Sequence, residues 1–559
     1  MELSAFCRGA FPPLAQPSTM SLSASVVGAG IVMLAACLFS FACAYRLVSA
    51  GGAAQAALRR RRLLAAFGVA TLVFGCRLAL AEGRVSWAPY LDQWNAEISG
   101  LVAPLAHGRL GLDDLFVANN EHRVVLTRLV SLAALEANGG WDNRVEVVAM
   151  FLLQSAVVAW FCLVVWKGLG WLRGSLVAST ALMPMFLVCD WENLVSGFQD
   201  QFGLMVLGTL VALSLAGGCS LGSRACLAAM ALAAVMLGAM ASGFVTALAM
   251  AGTGLVLTIS GRRSWRSSAG FISGCAAVAA LGWFTRHHSP VTPGVYASGP
   301  GVWLRAFLAY ASWPFPAGAP GFLCLWLPWI AFLLRVNRRR EESPLAPLVL
   351  GLGLWVLLQA AALAWARAGF AGLVGARYTE VLAWGLVANT AAAVLAVSAL
   401  ANPGKLRVPL YVGLAAWVVA ACASEAWRSR TLYRPYLEGF RQQTLEHEQR
   451  IVAFVRTGDE RAIAGVGFPH VPGTAAEIIS RLSDAKVRAL LSGPMRRGLV
   501  DERAGSVASS PDDGPLSSAA IHALRNGPWI ASAGIALLAG AGLLPRRRPS
   551  ADAPLARNP

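Results

Sequence analysis

Apolar runs long enough to cross a bilayer recur along nearly the whole chain, separated by short polar, glycine-rich or basic connections. The hydropathy pattern predicts about thirteen spanning helices, near 25–48, 63–81, 147–166, 172–189, 200–217, 224–241, 244–260, 269–285, 319–336, 345–366, 379–400, 408–424 and 528–544. Only helices and closed barrels satisfy their backbone polar groups in lipid, and runs of this length are helical. The predicted fold is therefore an all-α polytopic membrane protein.

Two long hydrophilic stretches interrupt the pattern. The first, 82–146, holds Trp87, Trp94 and Trp141 among charged residues, and an amphipathic helix is predicted over 121–136 with Val125, Leu129, Leu132 and Ala133 on one face. It reads as a helical loop lying on the membrane surface, its tryptophans at headgroup level. The second stretch begins as a charged helix over 436–456 and turns Gly, Pro and Ser rich around 498–518. It reads as a small extracytoplasmic C-terminal segment with a flexible linker. The expected divisions are an N-terminal segment and basic loop (1–62), a transmembrane domain (63–424) containing the outer loop 82–146, an extracytoplasmic segment and linker (425–527), and a C-terminal anchor with a basic tail (528–559). The stretch 303–322, with Trp313-Pro314-Phe315-Pro316, is too broken for a clean span and reads as a re-entrant or mobile outer loop.

Charge gives the orientation. Alternating the spans puts Arg59 to Arg62, Arg262 with Arg263 and Arg266, Arg335 with Arg338 to Arg340, Lys405 with Arg407, and Arg546 to Arg548 on one face, which the positive-inside rule makes cytoplasmic. The chain has 46 Lys and Arg against 29 acids, a formal charge of +17, and these clusters account for the excess without a nucleic-acid partner. Of the 559 residues 57% are hydrophobic and 13% charged, against about 25% charged in soluble domains, which excludes a soluble enzyme. The run 25–48 is longer than a signal-peptide core and reads as a true span; residues 1–19 lack periodicity, and Met20 is an alternative start. The 11 cysteines show neither a disulfide framework nor zinc spacing.

Ionisable residues at membrane depth or at span ends are costly and mark candidate sites. Asp92, in Tyr90-Leu91-Asp92-Gln93-Trp94-Asn95, lies about ten residues beyond the second span and reads either as a general base or as a solvated loop acid. Asp113, Asp114 and Asn119-Asn120-Glu121-His122-Arg123 follow in the same loop, and Glu121 with His122 could serve acid/base chemistry or a divalent metal. The alternative is structural: Asn119 or Asn120 caps the helix, Glu121 favours its N-terminal end, and Arg123 or Arg128 pairs with phospholipid. Asp190-Trp191-Glu192-Asn193 and Gly197-Phe198-Gln199-Asp200-Gln201-Phe202 interleave acids and amides with aromatics, as a sugar site requires, although an interfacial aromatic belt gives the same composition. Arg286-His287-His288 and Arg377-Tyr378 put cations on the outer face against the positive-inside bias, fit for a phosphate or for snorkelling to headgroups. There is no P-loop, Rossmann fingerprint, HExxH or nucleophile elbow.

Leu91-Asp92-Gln93-Trp94, Asn120-Glu121-His122-Arg123, Trp191-Glu192-Asn193-Leu194 with Gly197-Phe198-Gln199, and Ala376-Arg377-Tyr378-Thr379 resemble a group of bacterial membrane proteins associated with the GT-C superfamily of polytopic glycosyltransferases. The likeness covers about 63–495. It implies transfer of a sugar from a polyprenyl-phosphate donor to a cell-envelope lipid, glycan or protein acceptor at the outer face of the bacterial cytoplasmic (inner) membrane. In that superfamily the acid of the first outer loop is a base or a metal ligand, a role that falls here on Asp92. Two features depart from the pattern: the family often has two adjacent acids where this chain has Asp92-Gln93, leaving Asp113-Asp114 as the nearest pair, and one extra span precedes the loop. The expected chemistry is direct displacement with inversion, with Asp92, Glu121 and His122 as catalytic candidates. Glu192, Asn193 and Gln199 would hold sugar hydroxyls, and Arg377, Tyr378, Arg286 and His287 would hold the phosphate. No nucleotide donor is expected, a divalent metal is possible, and the expected partners are the lipid-linked donor, the acceptor and membrane lipids. The competing readings are a multi-pass transporter or flippase, which predicts polar residues near span centres, and a non-catalytic assembly factor.

Overall fold

A computed structural model describes residues 53–218, 223–287, 295–338, 343–370, 374–399, 407–464, 475–498 and 513–543. The span expected at 25–48, His288, Arg339, Arg340, Lys405 and Arg546 to Arg548 lie outside the described residues. The fold is all-helical; among the described residues the only pairing outside helices is an isolated antiparallel bridge between Asn119 and His122.

The principal helices are α1 (Ala53–Ala81), α2 (Val125–Asn138), α3 (Asn143–Leu169), α4 (Trp171–Leu182), α5 (Asp200–Gly218), α6 (Arg224–Val235), α7 (Phe244–Ile259), α8 (Trp265–Phe284), α9 (Pro300–Ala311), α10 (Ala319–Arg338), α11 (Ala346–Ala366), α12 (Ala376–Ser398), α13 (Arg407–Arg428), α14 (Arg434–Thr457), α15 (Pro515–Arg525) and α16 (Gly527–Leu543). Among the described residues nine helical stretches are long and apolar enough to cross a membrane: those built on α1, α3, α5, α7, α8, α10, α11 and α12, and one running unbroken over Val408–Thr457. Of the remaining expected spans, three are shorter helices. The 172–189 run forms α4 and then a 3-10 turn at Met183–Phe186, where Pro184 removes a backbone donor. The 224–241 run gives α6, and the last is the 17-residue α16.

The boundary expected at 424 falls inside a continuous helical run, because α13 passes into α14 through a π-helical turn at Ser429–Tyr433. The stretch 303–322 is a short helix, α9, a turn, and the start of α10. Trp303 anchors α9 by donating to the Ala361 carbonyl of α11 at 3.1 Å.

Small residues allow α16 to lie directly on α1. A Cβ built on Gly75 would sit 2.1 Å from the Ala531 backbone nitrogen, and one on Gly534 would sit 2.4 Å from that of Leu72. Only glycine admits this approach, which replaces lipid contact with close backbone packing.

The loop 82–146 folds with the chain beyond α14 into one module. Trp87, Trp94 and Trp141 are at most 2% exposed and pack with Ile98, Ile451, Phe454, Leu482 and Met495. They form a core instead of a headgroup belt. Cross-links reinforce the module: His107 meets Asp484 at 2.7 Å, and the Trp141 amide donates to the Leu490 carbonyl at 2.7 Å. Helix α2 departs from the amphipathic pattern. It buries Thr127, Arg128 and Ser131, while Leu129 and Ala133 of the expected apolar face are exposed. The buried polar groups have partners: Thr127 donates to Asp200 at 2.6 Å, Ser131 to Glu146, and Arg128 to the carbonyls of Ala96, Leu115 and Val117.

Candidate functional site

Two tight turns carry the acids. Leu91 (φ 47°) precedes Asp92 and Asn120 (φ 51°) precedes Glu121; these are the described non-glycine residues with positive φ. A left-handed leucine is uncommon and survives only where packing holds it, here by burial of Leu91 beside Tyr90 and Val145. The second turn is closed by the two backbone hydrogen bonds between Asn119 and His122, of 2.8 and 2.9 Å. Its tip brings the Asn120 amide to donate to Asp92 Oδ1 at 3.2 Å. Asn119 and Asn120 therefore shape this turn and do not cap α2, which begins at Val125 without a side-chain cap.

Asp92 meets the first turn of α12. The Arg377 guanidinium lies 3.5 Å from Asp92 Oδ2 through Nη1 and 2.6 Å from Glu192 Oε2 through Nε. Asp92, Glu192 and Arg377, far apart in sequence, thus form one partly exposed cluster of two carboxylates and one cation. Gln93, which stands where a second acid was expected, turns inward: its amide donates to Asn143 at 3.0 Å and to Glu146 at 3.1 Å.

Next to this cluster, between the turn 121–122, the N-terminal end of α7 and the C-terminal ends of α8 and α11, lies a cavity of about 270 Å³. Its polar end is formed by Glu121, His122, Arg286, Arg367, Tyr296 and Tyr378, and its walls by apolar side chains of α7 and α11 such as Val245, Leu248 and Leu358. Arg367 grips Glu121 through both terminal nitrogens, at 2.8 and 3.3 Å, and its Nε donates to the Tyr378 hydroxyl at 3.2 Å. Tyr296 donates to the same carboxylate at 3.1 Å. Glu121 is so heavily engaged that it positions Arg367; as a base it would have to break a bidentate pair. Arg286 stacks on Trp283, its guanidinium carbon 4.4 Å from the ring centroid.

His122 accepts a hydrogen bond from the Ala241 amide at Nδ1, 3.2 Å, which leaves the proton on Nε2. Burial, with the Arg367 charge adding to it, lowers its pKa to about 4, so the imidazole is neutral at physiological pH. It offers the cavity an N–H donor and no charge. Burial, and then the charge of Glu192, raises the Tyr90 hydroxyl well above its usual pKa, keeping it protonated.

The structure separates other expected site residues from this place. Asn193 is fully buried and donates to the Arg377 carbonyl at 3.2 Å and to Glu380 at 2.8 Å, so it supports α12 from beneath. Gln199 is buried and accepts from the Gln201 amide at 3.4 Å. His287 is exposed and does not line the cavity. Asp114 accepts from the Gly111 amide at 2.8 Å to close the short helix Leu112–Phe116, which also carries the exposed Asp113. Arg123 and Arg128 donate to protein carbonyls, those of Thr285 and Phe116 for Arg123. Asp190 is taken by Arg77, whose two terminal nitrogens lie 3.0 and 2.9 Å from its oxygens.

Arg367, Tyr296 and Gln359 line the cavity but were not singled out in the sequence. Arg367 had a signal: it follows the 345–366 span on the same face as Arg286 and Arg377. Among the described residues no group of three or more His, Cys, Asp or Glu is placed to hold a metal ion, so Glu121 and His122 do not gather a divalent site with the loop acids. The chain matches no protein-family model and no curated protein sequence.

Proposed function

We propose that this chain is a membrane glycosyltransferase that moves a sugar from a polyprenyl-phosphate donor to an envelope acceptor at the outer face of a bacterial cytoplasmic membrane. The observation that carries the reading is the adjacency of Asp92, held by Arg377 and Asn120, to a cavity with apolar walls and an arginine-lined polar end. A lipid-linked phosphate needs both environments at once. Leu248, Trp283 and Trp365 of the lining are exposed on the outside of the helical body, which lets a prenyl chain enter sideways from lipid.

In this mechanism Asp92 takes the proton of the acceptor hydroxyl as its oxygen bonds to the anomeric carbon. The bond from that carbon to the phosphate oxygen breaks, and the configuration inverts. The leaving prenyl phosphate passes from a mono-anion towards a di-anion, and Arg367 and Arg286 stabilise the added charge where low dielectric makes such contacts strong. Neutral His122 donates a hydrogen bond to the same oxygens. Arg377 and Asn120 aim Asp92, and Glu192 shares the Arg377 cation and faces the sugar. Charged side chains favour this surface chemistry over a transmembrane path: Glu146, Asp200 and Glu380 sit in or near the first turns of their helices, and Arg77 is closed onto Asp190.

The test is turnover. Purified protein in nanodiscs with polyprenyl-phosphate sugars and membrane-derived acceptors should release polyprenyl phosphate, seen by mass spectrometry, and Asp92→Asn should slow release by roughly 10²–10⁴-fold. Release that is unaffected by Asp92→Asn contradicts the assignment.

A further inference from the structure

The opposite ends of the helices carry a second and larger cavity, of about 430 Å³, between α1, α3, α5 and α11. Its walls include Leu63, Trp160, Val164, Val211 and Leu348, and its mouth carries Arg59, Arg62 and Lys167. No carboxylate is among the described residues lining it. The first turn of α11 and the last turns of α3 and α5 meet there beside the third turn of α1, so helix dipoles of both signs oppose one another and the described cations Arg59, Arg62 and Lys167 add positive charge. The neighbouring Arg61 turns away, stacking on Trp171 at 4.5 Å and donating to the Gly542 carbonyl. Arg59 and Arg62 are one turn apart and lie on the cavity, and Arg62 Nε has no hydrogen-bond partner among the described residues. Gly168 permits the closure of the wall: a Cβ there would fall 2.4 Å from the Leu345 side chain.

We propose that this cavity seats an anionic phospholipid, its phosphate between Arg59, Arg62 and Lys167 and one acyl chain against Trp160 and Val164. Cations alone fit any phosphate, but the depth of apolar wall behind them selects a phosphate that carries a hydrocarbon chain. The place agrees with the chemistry, since this is the end of the helices where the chain collects its arginines and where an anionic leaflet would meet them.

Full-length protein in nanodiscs of equal phosphatidylglycerol and phosphatidylcholine, released for native mass spectrometry, should retain phosphatidylglycerol at least about tenfold over phosphatidylcholine, a selectivity within reach of three cations near an anionic surface. The triple variant Arg59→Gln, Arg62→Gln, Lys167→Gln should reduce that preference to within about twofold. Val164→Trp, which fills the slot and keeps the charges, should lose the lipid as well. Equal retention of the two lipids by the unaltered protein, or full retention by the triple variant, overturns the proposal. Displacement of the lipid by millimolar inorganic phosphate assigns the cations to a soluble anion and overturns it equally. The comparison on unaltered protein stands even if a variant fails to fold.

Discussion

Arg377 holds Asp92 and Glu192 at once, and that shared grip gives the residue-scale predictions their direction. Arg377→Lys keeps a charge but loses the fork that reaches both carboxylates, so kcat for donor turnover should fall about 10²-fold, with Arg377→Ala lower still. Asn120→Gly accepts the left-handed backbone but removes the contact to Asp92. It should leave thermal stability near that of the unaltered protein while kcat drops several-fold, and a melt beside an initial-rate assay reads both. His122 gives a pH signature. Its pKa is lowered to about 4 in the fold from an ordinary 6.5, so between those values the unfolded chain binds more protons. Its contribution to stability is full above pH 6.5 and declines as the pH falls towards 4. His122→Asn should flatten that part of the stability profile, and an unchanged slope would show that His122 is not buried as described. Asp92, Glu192, Arg377 and Tyr378 could be singled out in the sequence because each lies at or shortly beyond the end of an apolar run. The inward turn of Gln93 and the capture of Asn193 by Glu380 were not, because an amide looks the same in sequence whether it faces a sugar or a helix interior.

At the scale of elements, the contact between α1 and α16 is the most exacting packing. Gly75→Leu forces a side chain into the Ala531 backbone and should destabilise the fold by roughly 1–3 kcal/mol or unseat α16. Gly540→Ala, with open space around it, should be neutral or slightly stabilising, so paired melts in detergent separate packing from helix propensity. Hydropathy located the long apolar helices well, since lipid imposes their length. It misread α2, because a helix between the loop module and the helical bundle can bury polar groups when each finds a partner: Thr127 with Asp200, Ser131 with Glu146. The fall in hydropathy at 424 carried no sign that the backbone continues helically through Ser429–Tyr433. The π-helix Trp94–Val102 buries Glu97 completely, and burial, then the neighbouring Glu146 and Asp200, raises its pKa well above the usual value. A raised carboxyl pKa lowers stability as the pH climbs past the unfolded value. Glu97→Gln should therefore stabilise the protein at pH 8 and change little at pH 4, and equal effects at both would contradict a buried neutral acid.

Across the whole molecule the charges sort by end. Arg59 to Arg62, Arg263 and Arg335 lie at the ends of α1, α7 and α10 remote from the cavity, while Arg286, Arg367 and Arg377 lie at the ends of α8, α11 and α12 that form it. On the proposed function, donor chemistry takes one end of the helices and the proposed lipid site the other. Cysteines introduced at His287 and at Arg262 should accordingly react with an impermeant thiol reagent from opposite sides of sealed vesicles. The central claim is that a prenyl phosphate lies in the cavity beside Asp92. A polyprenyl-phosphate sugar bearing a photoreactive group on its first isoprene unit tests it most directly, with the cross-linked peptides mapped by mass spectrometry. Adducts are expected on 240–248, at the start of α7 and the turn before it, and on 358–366 of α11, abolished by excess unlabelled donor and weakened in Arg367→Ala. Adducts confined to other helices, or unaffected by competing donor, would contradict it.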